Sequence, residues 1–457
     1  MTGAGEFFSN EQLSPIERAG QLADRYPEMG WMVNASTHAT PERSFTASGT
    51  TVGAALFPAA DRASLVEFDR AYVAIASMDW VRADDYASLT ACQPETDVLS
   101  PELFEWLREH TDRILSDESA VRAMEAFLAI NDLGKISAFA DAVRQMPGAP
   151  DTVDHDVIMY YGLQQQPSLS PTFAGLPPKY QQMILDGMGT GFNLGQLLQG
   201  EGVPANLAGL AAVGQETRDF YLLHTLYDLG GVAGQSVQNG SLLLTESMVR
   251  NYRDAYESIG GMASGQSIEA VYHGYLGKMA RRVEIMVPPG QGVPVSVRLA
   301  GMLSLKGEVQ RNRLLAAYSR LAKESPEDFM TFEEEVFQAG DTNRRIGLSL
   351  YRQDSRNRVS TLIYYAPALL RNLQKQAAGN PEQWETNIVL GLRTLARIYR
   401  AGRDRDVVRQ AKRGGVQTIL ISEIARAAAK NPELLRTGKI VLVGNGLDVE
   451  ARLEPAV

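Results

Sequence analysis

The sequence predicts an all-α protein: a large multi-helix core, a C-terminal helical part and a short terminal β-hairpin. Three observations predict it. Apolar residues recur at intervals of three and four from about residue 60 to 430. Helix starts carry capping residues, as at Ser14-Pro15, Ser100-Pro101-Glu102 and Asp117. The C-terminal stretch "GKIVLVGNGLDVEARL" alternates instead, with a Gly-Asn-Gly turn in its middle.

The elements follow in order. Residues 1 to about 60 are mixed: "SPIERAGQLADRYP" reads as a short helix, and "TPERSFTASGTTVGAA" as a loop. "ADRASLVEFDRAYVAIASM" places Leu65, Phe68, Tyr72 and Ile75 on one face. "SPELFEWLREHTDRIL" and "DESAVRAMEAFLAIND" form the next two helices. "MPGAPDTVD" is a turn, "HDVIMYYGL" starts a helix, and "PSLSPTFAGLPPKY" is a proline-rich connector. Long helices are expected around 178–200, 204–234, 245–260, 267–286, 308–323, 331–352, 355–377, 383–401 and 416–430. "MVPPGQGVPVSVRL", residues 286–299, breaks the run and marks the internal boundary. The expected division is 1–100, 101–285 and 300–457.

Composition narrows the function classes. The chain has 457 residues, a net charge of -10 and 44% hydrophobic residues. That balance argues against nucleic-acid binding through bulk charge. The single cysteine, Cys92, leaves no intrachain disulfide and no cysteine-rich zinc site. Its setting, "SLTACQPETD", has no neighbouring His, so it reads as a small half-buried thiol. No run approaches the ~18 apolar residues of a membrane span, and the N-terminus lacks a secretory pattern. The expectation is a cytoplasmic protein with a small-molecule substrate. Walker, nucleophile-elbow and His-Glu-x-x-His motifs are absent from the sequence.

The stretch "FLAINDLGKISAF" carries the candidate chemistry. In a helix ending at Leu133, Gly134 would serve as a left-handed cap, and Lys135 would sit at the negative end of the dipole. Those roles leave Asn131 and Asp132 unexplained. Elsewhere "DTVDHDVIMYYG" supplies His155 between Asp154 and Asp156, and "YLLHTLYDLGGVAG" places His224 four residues before Asp228 on one helical face. Histidine with carboxylate suits iron, manganese or zinc, and such an ion acidifies bound water and contacts phosphate oxygens. Asp132, His155, His224 and Asp228 would give two nitrogen and two oxygen ligands.

"INDLGK" resembles the HD-domain superfamily of helical metal-dependent phosphohydrolases. Asp132 matches the family's Asp, and Leu133, Gly134 and Lys135 match the residues that follow it. Asn131 stands where the family has His, and an amide is a poorer metal ligand than imidazole. His110, in "LREHTDR", is the candidate for the upstream His, at a shorter separation than is usual for the family. The resemblance spans residues 110–235 and implies an HD-like core within 101–285. It implies a metal-dependent hydrolase of a phosphate ester or nucleotide, with Asp132 at the reaction centre and Lys135 as a phosphate contact. Two rivals stand beside it: an HD-type di-iron oxygenase, and a degenerate HD-like scaffold that binds a ligand or partner without catalysis. A plainer reading also covers the same residues. Asp154 to Asp156 would cap a helix, His224 would bond a carbonyl, and Asp228 would cap the turn at Gly230-Gly231.

Other polar groups are Asn193, Gln196, Gln199 and Glu201, then Gln235, Gln238, Asn239 and Ser241. These read as caps and loops, with a small-ligand pocket as the alternative. Arg344, Arg345, Arg352, Arg356 and Arg358 read as a solvated basic face.

Overall fold

The computed structural model describes residues 13–33, 50–150, 155–202, 204–285, 295–331, 362–402, 418–445 and 448–455. The chain divides into two units. Unit 1 holds residues 43–190 and 213–253 with the N-terminal helices, and unit 2 holds 191–212 and 254–457. Residues 101–285 therefore contribute to both units.

Unit 1 is helical. It contains α1 (Pro15–Arg25), α2 (Pro27–Trp31), α3 (Val66–Arg82), α4 (Pro101–Ile114), α5 (Glu118–Ile130), α6 (His155–Gln165), α7 (Pro178–Gly189) and α8 (Gln215–Gly231). Its helix starts are the ones the sequence marks. Ser14 forms a capping box with Glu17, Ser100 accepts from the Leu103 amide at 3.3 Å, and Asp117 accepts from Ala120 at 2.9 Å.

The centre of unit 1 is α3, packed against α8, α4 and α5. The spacing of Leu65, Phe68, Tyr72 and Ile75 suggested one apolar face. Instead α3 is buried from Ala71 to Val81 without a break. A helix surrounded by other helices has no solvent side, so its small residues, Ala71, Ala74 and Ala76, serve close packing. Gly231 of α8 lies against that surface, where an added Cβ would come within 2.4 Å of the Arg70 carbonyl oxygen.

Unit 2 includes α9 (Ile268–Arg282), α10 (Val295–Leu303), α11 (Glu308–Glu324), α12 (Ala366–Gln376), α13 (Pro381–Gly402) and α14 (Ser422–Lys430). The predicted C-terminal hairpin is present: β3 (Gly438–Asn445) pairs antiparallel with β4 (Asp448–Pro455). Asn445 faces Asp448, and Gly446 of the expected turn lies outside the described residues.

The hairpin belongs to a larger sheet. Two short strands, β1 (Leu362–Tyr364) and β2 (Thr418–Leu420), add parallel in the order β1-β2-β4-β3. They fall inside the expected helices 355–377 and 416–430, which begin only at Ala366 and Ser422. Three residues are too few to display a period of two, so their β character is not legible locally. The expected helix 178–200 is likewise broken: α7 stops at Gly189, and a new turn starts after Asn193, whose side chain caps it.

Among the described residues, no helix is long and apolar enough to cross a membrane. The expected helix 331–352, apart from Thr331, and the arginines from Arg344 to Arg358 lie outside the described residues.

Candidate functional site

The stretch "INDLGK" does not end as a left-handed cap. Helix α5 stops at Ile130, and Leu133–Lys135 make one 3-10 turn. Gly134 is not among the positive-φ glycines of the described residues. Its role is close approach: an added Cβ would lie 2.0 Å from the His155 carbonyl oxygen. A missing side chain thus lets the start of α6 rest on this turn. That contact brings His155 to Asp132, with Nε2 3.5 Å from Oδ1.

The turn also aims Lys135 inward. Its Nζ lies 2.8 Å from Asp132 Oδ1 and 2.9 Å from Glu67 Oε1. Arg70, one turn along α3 from Glu67, places Nη1 3.0 Å from Glu67 Oε2 and 4.0 Å from Asp132 Oδ2. Two cations therefore lie against two carboxylates, all largely withdrawn from solvent. His155 is the exposed member, with 37% of its side chain accessible, and it also lies 3.2 Å from Asp156.

The environment splits the two carboxylates. Burial and the charge of Asp132 push Glu67 up to about 7, against Arg70 and Lys135. Burial also acts to raise Asp132. The Lys135 ammonium, the bond with Glu67, Arg70 and His155 outweigh it and hold Asp132 well below the usual carboxylate range. Lys135 loses acidity in turn, because Asp132 and Glu67 stabilise its charge more than burial penalises it. One acid sits near neutrality beside one that stays ionised, a combination that marks acid–base centres.

Asp228 borders this cluster from α8. Asn131 Nδ2 donates to its Oδ1 at 2.8 Å, so the Asp228 carboxylate, expected to cap the turn at Gly230-Gly231, is tied instead to the end of α5. Burial pushes Asp228 up to about 6, with Arg70 opposing and Asp132 reinforcing. Replacing Asn131 by Ala is expected to raise Asp228 further and to cost about 1 kcal/mol. NMR titration of the Asp228 carboxyl with a melting curve measures both. An unmoved titration would contradict the role given to the amide.

His224 finds support for the plainer reading, because a hydrogen bond with the Phe127 backbone acts to raise its basicity. It is buried and stacks on Phe127 with ring centroids 3.5 Å apart. Beyond the Phe127 backbone, neither ring nitrogen has a hydrogen-bond partner among the described residues. Burial lowers its basicity to about 3, with the charge of Asp132 opposing, so the ring is neutral. His110 is not part of the centre. Its Nε2 lies 2.9 Å from Tyr252 OH, its Nδ1 lies 3.0 Å from Arg113, and its ring stacks on Trp106.

The four proposed ligands are thus only partly assembled. Asp132 and His155 meet, and Asp228 stands beside them through Asn131. His224 is stacked on Phe127, and the Lys135 ammonium occupies the space between Asp132 and Glu67. Among the described residues, no group of three or more His, Cys, Asp or Glu side chains is disposed to hold a metal ion.

Two participants escaped the sequence reading. Glu67 and Arg70 sit within the apolar pattern of α3, and the available signal was charge at the start of an otherwise apolar helix. The other polar groups serve structure. Gln238 accepts from Val52 N at 2.6 Å and donates to Asp69 at 2.8 Å. In unit 2, Glu201 accepts from Ala366 N at 3.0 Å, and Gln199 accepts from Arg371 at 3.3 Å. Burial pushes the Cys92 thiol up to about 11, which makes it a poor nucleophile.

No curated protein and no solved structure matches the chain. A family model does, over residues 27–430, which include every residue of this centre. The chain belongs to DUF6829, a family of unknown function.

Proposed function

We propose that unit 1 carries a hydrolase for a phosphate ester or nucleotide in which Glu67 and Asp132 divide the acid–base work. The Lys135 ammonium supplies the positive charge between them. The observation that carries this reading is the Lys135 bridge, 2.8 Å to Asp132 and 2.9 Å to Glu67, with the two carboxylates driven apart in acidity. A carboxyl group titrating near 7 can protonate a leaving oxygen at neutral pH. Asp132 stays ionised and serves as the base toward water. His155, at the exposed edge, is where a substrate arriving from solvent first meets the cluster. The phosphate class comes from the HD-like pattern at Asp132, Leu133, Gly134 and Lys135.

One observation favours a metal-dependent form of the same activity. His224 is buried with no hydrogen-bond partner beyond the Phe127 backbone, and a buried polar atom left over in this way asks for a ligand. In that form Lys135 would have to leave Asp132.

The test is hydrolysis of p-nitrophenyl phosphate and of nucleoside mono- and triphosphates, with and without chelator. The proposal expects turnover that survives chelation. Its rate should be flat below about pH 7 and fall above it, as Glu67 loses its proton. Glu67→Gln should abolish it. Turnover lost to chelator, restored by manganese and absent from His224→Ala would replace this reading by the metal-dependent one. No turnover of any substrate would overturn both and leave a binding scaffold.

A further inference from the structure

A second buried acidic pair lies in unit 1, outside the centre described above. Asp79 of α3 is 1% exposed, and neither of its carboxylate oxygens meets a hydrogen-bond partner among the described residues. Glu125 of α5 is fully buried. Its Oε2 accepts from Tyr26 OH at 2.6 Å and lies 3.4 Å from Arg25 Nη1, while its Oε1 meets no partner. Three carboxylate oxygens are therefore buried and unsatisfied on two helices that pack together.

Such a group is costly when ionised. Of the charged groups around Asp79, Glu125 repels its charge from α5, and only Arg82 on its own helix and Arg25 on α1 oppose that. Tyr26, between α1 and α2, already donates to Glu125, and Tyr227 approaches from α8. Arg82 itself is drawn toward Asp112 of α4, at 4.0 Å. Among the described residues, no hydrogen-bond donor reaches the Asp79 carboxylate. A proton on Asp79 removes that buried charge and its repulsion from Glu125.

We propose that Asp79 keeps its proton at neutral pH, and that this proton, by keeping a second negative charge away from Glu125, holds α1 and α2 on the core. Folding then takes up one proton from solution, since Asp79 in the unfolded chain is ionised above about pH 4. The sign follows from that uptake. The folded state binds more protons than the unfolded state, so this pair loses stability as pH rises from about 4 upward, until Asp79 itself ionises. The elements best placed to yield are α1 and α2, which contribute Arg25 and Tyr26 to Glu125 and whose end at Trp31 is exposed.

The experiment compares the full chain with Asp79→Asn, a variant of the same shape that carries no proton to lose. The folded-to-unfolded ratio of the variant relative to the native chain should rise about tenfold per pH unit between pH 5 and 8. Infrared spectra at pH 8 should contain a protonated-carboxyl band that the variant lacks. Hydrogen exchange in Pro15–Trp31 should accelerate with pH beyond its intrinsic chemistry in the native chain only. A stability difference that stays flat with pH overturns the proposal. Should the variant fail to fold, absence of the infrared band from the native chain overturns it equally, and its presence with pH-dependent exchange supports it.

Discussion

Replacing Lys135 by Met is expected to destabilise the protein by about 3–5 kcal/mol at pH 8, the usual result of removing one partner from a buried ion cluster. The ammonium lies between Asp132 and Glu67, whose side chains are 9% and 2% exposed. Without it, two carboxylates face each other with Arg70 as the nearest remaining cation. Both acids would then titrate higher. Glu67, already pushed up to about 7, would move further, and Asp132 would lose the cation that contributes most to its low value. The loss should therefore depend on pH. It should be largest above 7, where both carboxylates are charged, and shrink as the solution is acidified through the range in which they take up protons. Urea unfolding at pH 8 and pH 5 measures this. A loss below about 1 kcal/mol, the value of an exposed ion pair, would show that the bridge does not hold the centre together.

Replacing Gly134 by Ala should be nearly as damaging, for a different reason. The added Cβ would lie 2.0, 2.7 and 2.9 Å from the carbonyl oxygen, carbonyl carbon and Cα of His155. All three are backbone atoms, so no rotamer change relieves the clash. The start of α6 must move, and overpacking of this kind costs about 1–3 kcal/mol or more. The movement also carries His155 away from Asp132. The expected result is a lower melting temperature together with a changed His155 ring resonance. A lower melting temperature with an unchanged ring resonance would mean that the contact does not position His155.

Much of this protein follows from local pattern. Ser14, Ser100 and Asp117 cap helices because each offers an oxygen to an otherwise unsatisfied amide three residues on, a relationship contained within a few residues of chain. The terminal hairpin is legible for the same reason, since its strands are long enough to alternate. Strands β1 and β2 are not, because their hydrogen bonds are made to each other and to β4, across long stretches of sequence.

The sequence by itself determined the helical class, the caps and the hairpin, and it singled out "INDLGK". Tertiary structure alone decided what that stretch does. Gly134 looked like a cap because glycine at a helix end usually is one, yet the reason for it lies at His155, the first residue of α6. Asn131 was read as standing where the resembled family has His, while its hydrogen bond goes to Asp228 on α8. Glu67 and Arg70 offered only charge at the start of an apolar helix, and a charge beside an apolar run looks solvated until helices close around it. Spacing along a chain reports which residues share a face. Which ammonium comes to rest between which carboxylates depends on how the faces meet, and that is fixed by packing between segments the sequence keeps apart.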